Sequence, residues 1–315
     1  MGARFMVVAA VLAGGMVGCG NTETSESAAP TMVTSLAHLR QPNGREINGR
    51  EINGREINGS DLGSKLVAVR YAGARRDGMS TALSDVWLEG SIFHGLFGSE
   101  ELSGMDFQQM RFTGVLQDGT NLTLRVDGIY PGAGDNQDVW SYRVSYQHSA
   151  DGQWYPICTN ADGSAANAIP LENRWDYREG VIGGGGKIYD ATAFTFACEG
   201  AALAKCVNFG YAPWRSVNGV SMEDHHQACT RMVRADFCGN GTSYTVNGNW
   251  VNVYDAMNIQ VDTENWAAEA EWDSEGASCF TSKTRATTAI QCGERLVPSC
   301  GASFGGKTLL ISETP

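Results

Sequence analysis

Basic clusters are missing from this sequence. Its 23 Lys and Arg residues stand against 35 Asp and Glu, giving a net charge of −12, and the cations are nowhere gathered into a run. A surface that captures nucleic acid or an anionic membrane by charge is therefore excluded. Beyond residue 18 no apolar run reaches the roughly 18–20 residues that a helix needs to cross a bilayer. No Gly-x-Ser-x-Gly elbow occurs, and the four glycines at 183–186 lack the spacing and the following Lys-Ser/Thr of a phosphate loop, so they read as a flexible connection. None of the cysteines has the Cys-x-x-Cys spacing of a zinc knuckle. The remainder is ordinary globular composition, 42% hydrophobic and 9% aromatic over 315 residues, enough for one large core or two small ones.

The N-terminus is expected to be an address. Arg4 precedes an apolar run over residues 5–18, too short to span a bilayer and of the length of an export signal. Met16-Val17-Gly18-Cys19 resembles a bacterial lipobox, which predicts lipidation of Cys19 and a lipid anchor in the bacterial envelope; Gly20 in place of Asp points to the outer membrane or cell surface. Residues 19–44 are small and polar and read as a tether. Arg45-Glu46-Ile47-Asn48-Gly49 then recurs unchanged at 50–54 and 55–59, and loosely at 60–64. The five-residue period resembles a pentapeptide-repeat coil. A single coil is short for a stable core, so 45–64 is expected to be a spacer.

Export decides the cysteine reading. Beyond Cys19, the residues Cys158, Cys198, Cys206, Cys229, Cys238, Cys279, Cys292 and Cys300 form an even set, which in an oxidising compartment predicts four disulfides with the pairing left open. A zinc site on His225, His226 and Cys229 competes weakly, because adjacent histidines on a helix point about 100° apart.

The fold expected is α+β: a β-rich region at 65–150, followed by a cysteine-rich domain at 151–315 built on a stapled helix-helix-hairpin unit with further strands. Residues 66–71, 85–88, 122–126 and 139–146 are short runs rich in β-branched and aromatic residues, parted by turn residues. Asp135-Asn136-Gln137-Asp138 carries the oxygens of a calcium loop without EF-hand spacing; a hydrated loop is the simpler expectation, and no cofactor is otherwise implied. The densest signals lie at 194–255. A helix over about 200–209 ends at Gly210. A second, over 221–235, opens on Ser221 and Asp224 as a variant capping box, with Met222, Cys229, Met232 and Val233 on the packed face and Gln227, Arg231 and Arg234 on the solvated one. Asn247-Gly248 between residues 244–246 and 250–254 predicts a tight hairpin. From 266 to 273 strict alternation predicts a strand with Trp266, Ala268, Ala270 and Trp272 packed and Glu269 and Glu271 solvated. Residues 308–312 form a final strand.

These segments are similar to a bacterial family, the ADYC-domain proteins, named for a tetrapeptide that reads Ala235-Asp236-Phe237-Cys238 here. Neighbouring similarities include Lys205-Cys206, Gly210 to Trp214, His226 to Cys229, Arg231 to Arg234, Gly239-Asn240-Gly241 and Glu269 to Trp272. The resemblance spans roughly residues 154–313. Phe237 replaces the family's Tyr, so any role of that phenol hydroxyl does not apply. The resemblance implies an exported cysteine-rich domain and transfers no catalytic residue.

Two functions compete. The first is a non-enzymatic surface module that binds an unknown protein or polysaccharide, with tryptophans among Trp140, Trp154, Trp214 and Trp250 as stacking surfaces. The second is a hydrolase with His225 or His226 as base, oriented by Asp236 or Glu269, for which the sequence offers no nucleophile. An enzyme requires these groups to converge in an open pocket.

Overall fold

The computed structural model describes residues 45–47, 64–160, 162–301 and 308–315. The expected leader, Cys19, the tether and repeat residues 48–63 lie outside them. In chain order the strands of the first half are β1 (Arg45–Ile47), β2 (Leu66–Arg76), β3 (Asp85–Glu89), β4 (Ile92–Phe97), β5 (Glu100–Ser103), β6 (Met110–Leu116), β7 (Asn121–Tyr130), β8 (Ser141–Gln147) and β9 (Trp154–Pro156). After β10 (Ala168–Glu172), β11 (Arg174–Trp175), β12 (Lys187–Ile188) and β13 (Ala193–Cys198) comes α1 (Ala202–Asn208). The short strands β14 (Ser216–Val217) and β15 (Val220–Ser221) precede α2 (Glu223–Val233), and β16 (Asn249–Tyr254), β17 (Ala267–Asp273), β18 (Gly276–Phe280) and β19 (Leu310–Thr314) complete the described chain.

A seven-stranded antiparallel sheet runs β10-β13-β2-β6-β7-β8-β9. One further bridge, Ala168↔Tyr142, joins β10 back to β8 and closes the sheet on itself, which leaves little open edge. Burial along β6 alternates strictly, as a strand with one face to the core and one to solvent must. The separate sheet β3-β4-β5 drives Phe93, fully buried, into the interior. There its ring lies 5.1 Å from those of Phe112 and Phe194 and 5.2 Å from Tyr142. Edge-on and tilted pairs of this kind add to plain area burial.

The second half packs α1 and α2 against a five-stranded sheet ordered β1-β16-β19-β17-β18. Both helices end in the same way. Gly210, at φ +101, follows α1 so that Tyr211 N–H reaches Cys206 O at 3.0 Å and Gly210 N–H reaches Val207 O at 2.9 Å. Ala235, at φ +51, follows α2 and repeats the two bonds as Asp236 to Arg231 and Ala235 to Met232, each 2.8 Å. These are Schellman terminations, and an L-alanine in the left-handed region carries a steric cost of about 1–2 kcal/mol.

Cysteine pairing follows the even count: Cys158–Cys198, Cys206–Cys229, Cys238–Cys292 and Cys279–Cys300. The second of these staples α1 to α2, and its closure of a 23-residue separation accounts for about 3 kcal/mol of unfolded-state entropy in the chain-entropy treatment.

Three local expectations require correction. Asn247 and Gly248 do form a turn, yet residues 244–246 are not a strand; β16 pairs with β19 and β1 instead, because the long-range ladder offers more backbone bonds than a three-residue hairpin arm. The helix α2 has no solvated side from His225 onward: Gln227, Arg231 and Arg234 are 7%, 3% and 2% exposed. Finally, β17 carries a bulge between Ala268 and Ala270; Glu269 is the extra residue there and interrupts the alternation locally, while Ala270 and Trp272 keep the packed side expected of them. Glu269 thus faces inward together with Ala270, both fully buried.

Candidate binding cleft

The polar residues singled out by sequence are held in the core. Around α2 the glycine loop takes the place of water. Gln227 accepts from Trp175 Nε1 at 2.9 Å and donates to Gly185 O at 3.0 Å, while Arg231 donates to Gly184 O. A Cβ on Gly184 would stand 2.3 Å from Asn240 O and 2.4 Å from Arg178 O. Gly184 and Gly185 are therefore a buried, close-packed lining and Gly183 is exposed, where the sequence suggested a flexible connection throughout.

Each residue of Ala235-Asp236-Phe237-Cys238 has a structural task. Ala235 turns the chain out of α2. Asp236 accepts from Arg231 Nη1 at 2.5 Å and from the amides of Asn240 and Gly241 at 3.1 and 2.9 Å, so its charge is met on all sides although it is fully buried. The Phe237 ring sits 5.1 Å from Trp272 and 5.4 Å from Phe280, and Cys238 is joined to Cys292.

Glu269 is equally engaged. Its oxygens accept from Arg285 Nη1 at 2.7 Å, Arg285 N at 2.9 Å and Ser312 Oγ at 2.8 Å. His226 is 1% exposed and its Nε2 lies 3.0 Å from Leu203 O; burial pushes its pKa down to about 4. Burial also lowers the pKa of His225, partly opposed by Asp255 and Asp224, and the His225 ring stacks on Tyr211 at 6.1 Å. Asp236 and Glu269 each face an arginine, and neither is hydrogen-bonded to a histidine. The acid/base constellation weighed for a hydrolase does not converge on an open pocket.

Acidic and aromatic loops are likewise committed. Arg215 donates to Asp138 Oδ2 at 2.8 Å and to Asn136 Oδ1 at 3.1 Å, and Trp214 Nε1 donates to Asp138 Oδ2 at 2.7 Å. Burial pushes the Asp138 carboxyl up, but the bonds from Arg215 and Trp214 outweigh it and leave the pKa below the usual carboxylate range. A guanidinium thus uses the oxygens considered for calcium, and no cluster of three or more His, Cys, Asp or Glu suited to a metal occurs among the described residues. Trp154 lies under Arg125, 4.1 Å from its ring centroid, and Trp140 Nε1 donates to Gln137 O at 2.8 Å. Trp250 is exposed.

An open concavity lies elsewhere, on the outer face of the closed sheet. It encloses about 470 Å³ where β2, β6 and β13 meet β11 and the turn before β13, within the range of ligand sites. The floor is aliphatic: Val67, Ala68, Ala72, Val115 and Ala193. At the rim, Arg174 Nε bonds Asp190 Oδ2 at 3.0 Å. The Thr192 hydroxyl, then its amide and Arg174, hold the Asp190 carboxyl below its ordinary pKa. Opposite stands Arg70, exposed and paired across the ladder with Ala193, with no ion-pair partner among the described residues. Sequence reasoning overlooked it, although an arginine inside the apolar run 66–71 was a visible signal. A second cavity, lined by Met79, Leu83, Phe97, Leu102 and Met110, holds about 80 Å³ and is too small for a ligand of that class.

A family model described as the ADYC domain matches residues 104–286. The match starts in the β-rich half, earlier than the roughly 154–313 span of the sequence resemblance, and takes in the closed sheet from β6 onward together with α1, α2 and β16 to β18. No curated protein and no solved structure matches the chain.

Proposed function

This chain belongs to the ADYC-domain family, and on that premise we propose that it is a non-enzymatic binding module of the bacterial cell envelope, lipid-anchored through Cys19. The carrying observation is the contrast between the acid/base residues of the core, buried and with both carboxylates paired to arginines, and the open cleft under Arg70. Support for export comes from the disulfides, which use every cysteine beyond Cys19 and suit an oxidising compartment.

The ligand class follows from the lining. An aliphatic floor with no aromatic ring gives a sugar nothing to stack on, so a peptide is favoured over a polysaccharide. Arg70 supplies a guanidinium with no ion-pair partner among the described residues, a fit for a carboxylate. The net charge of −12 repels polyanions, so the partner carries a single carboxylate on an aliphatic stem, such as the C-terminus of a protein chain.

Fluorescein-labelled apolar pentapeptides with a free C-terminal carboxylate, compared with their amidated forms by anisotropy, test this reading. The expected result is saturable binding that weakens at least tenfold on amidation and equally in Arg70→Glu. Binding indifferent to both changes, or no saturable binding by any member of the set, rejects the cleft as the site.

A further inference from the structure

The outermost strand of the five-stranded sheet is β1, three residues from the first pentad of the repeat. It runs antiparallel to β16 with Arg45 opposite Val251, Glu46 opposite Trp250 and Ile47 opposite Asn249. The strand it covers, Asn249–Tyr254, has none of the devices that guard an edge: its sequence contains no Lys, no Pro and no Gly. Pairing of this kind rests on backbone bonds, with side chains setting the register.

The same three residues, Arg-Glu-Ile, recur at 50–52 and 55–57. Each chain therefore carries three identical copies of the sequence that forms β1. From the observed docking, seventeen residues lead from Ile47 to Ser64; with the third copy docked, only seven would lead from Ile57 to Ser64. At about 3.3–3.6 Å per residue the maximal reach falls from roughly 60 Å to roughly 25 Å. Exchange within one chain must shorten its own linker, whereas a pentad from a neighbouring molecule meets no such limit.

We propose that the outer edge of β16 at Asn249–Val251 is a strand-addition site for the Arg-Glu-Ile-Asn-Gly pentad, and that its partner is a pentad of a second copy of this chain. One copy fills the edge of its own molecule, or is displaced by an equivalent copy from outside, and the surplus copies supply neighbours. The contact is head-to-tail: edge and pentad are different surfaces, so association is open-ended and does not stop at a closed dimer. Crowding on a membrane would raise the effective concentration of pentads without any new contact.

Sedimentation of the full chain across about a hundredfold range of concentration reads the association. The weight-average mass is expected to at least double at the upper end, and to stay monomeric in the variant carrying Glu46→Pro, Ile47→Pro, Glu51→Pro, Ile52→Pro, Glu56→Pro and Ile57→Pro. Successive N–H groups of a strand point to opposite sides, so two adjacent prolines remove the ladder donor whichever of the two it is. A peptide Arg-Glu-Ile-Asn-Gly-Arg-Glu-Ile-Asn-Gly added to that variant is expected to shift the emission of Trp250, which is 47% exposed, with saturation; its proline counterpart is expected to leave it unchanged. A full chain that remains monomeric overturns exchange between molecules. A peptide that leaves the Trp250 emission unaltered overturns the site itself.

Discussion

Removing the carboxylate of Glu269 is the sharpest test of how the second half is held together. That side chain is fully buried and is the counter-ion of Arg285, whose guanidinium also donates to Met232 O near the end of α2. Ser312 Oγ relays the contact, donating to Glu269 Oε2 at 2.8 Å and accepting from Trp272 Nε1 at 2.8 Å. One carboxylate therefore ties together β17, β19, α2 and the segment bearing Arg285. In Glu269→Ala the guanidinium stays sealed without a counter-ion, and breaking a buried pair from one side costs about 3–5 kcal/mol. At roughly 3 kcal/mol per M of urea for a chain of this size, the unfolding midpoint falls by about 1–1.7 M. The measurement is urea denaturation followed by tryptophan fluorescence without reductant, so that the disulfides remain closed. Glu269→Gln keeps the shape and one acceptor oxygen and is expected to lose about 1.5–3 kcal/mol. Glu269→Leu combined with Arg285→Met removes both charges and is expected to recover at least half of the alanine loss. An alanine variant within about 0.2 M of the native midpoint, or a double variant no better than the single, would refute the argument that this pair is a stabilising tie.

His226 links stability to pH. Its pKa falls from 6.5 to about 4 in the folded chain, below the unfolded value, so its contribution is whole above pH 6.5 and drains away as the pH falls towards 4, about 3 kcal/mol in all. The loss of stability between pH 7 and pH 4 is accordingly expected to be smaller by about that amount in His226→Phe than in the native chain; parallel losses in the two would rule out the imidazole. At the N-terminus, Cys19→Ala is expected to move most of the protein from the membrane fraction to the soluble fraction of bacterial lysates, and a variant that stays with the membrane would exclude lipidation at Cys19 as the anchor.

Strands and helices were legible where local pattern and tertiary setting agree. The run at 66–71 became β2, and Gly210 marked the end of α1 because only a residue tolerant of positive φ fits there. By contrast, β4 and β6 carry Gly95 and Gly114 in their interiors, which read locally as breaks. Alternation misled at Glu269 because a bulge is invisible in composition: the inserted residue leaves the alternation and faces inward, while Ala270 and Trp272 after it stay packed as expected. Periodicity misled at α2 for a different reason. It identified the polar side chains correctly, but their partners proved to be the backbone of the glycine loop and the carboxylates of Glu179 and Asp236.

That substitution of protein for water explains why the polar signature of the central stretch pointed towards chemistry. A histidine or carboxylate serves catalysis only while it keeps an unspent proton site or lone pair facing a substrate. Asp236 uses its oxygens to close the turn that Ala235 opens and to neutralise Arg231; Glu269 uses its own on Arg285 and Ser312. Both do what a hydrophobic core cannot do alone: they fix which carbonyl and which guanidinium meet at the junction of helix and sheet. Burial of such pairs is stable only when nearly all of their polar atoms are satisfied; Asp236 and Glu269 spend their oxygens in this way, although Arg285 Nε stays buried without a hydrogen-bond partner, and so these carboxylates are poorly placed to act on a substrate. In the proposed function, recognition falls to side chains outside the network: across the aliphatic cleft from Arg70 the carboxylate of Asp190 is held by Arg174 and Thr192, and exposed Arg70 has no ion-pair partner among the described residues.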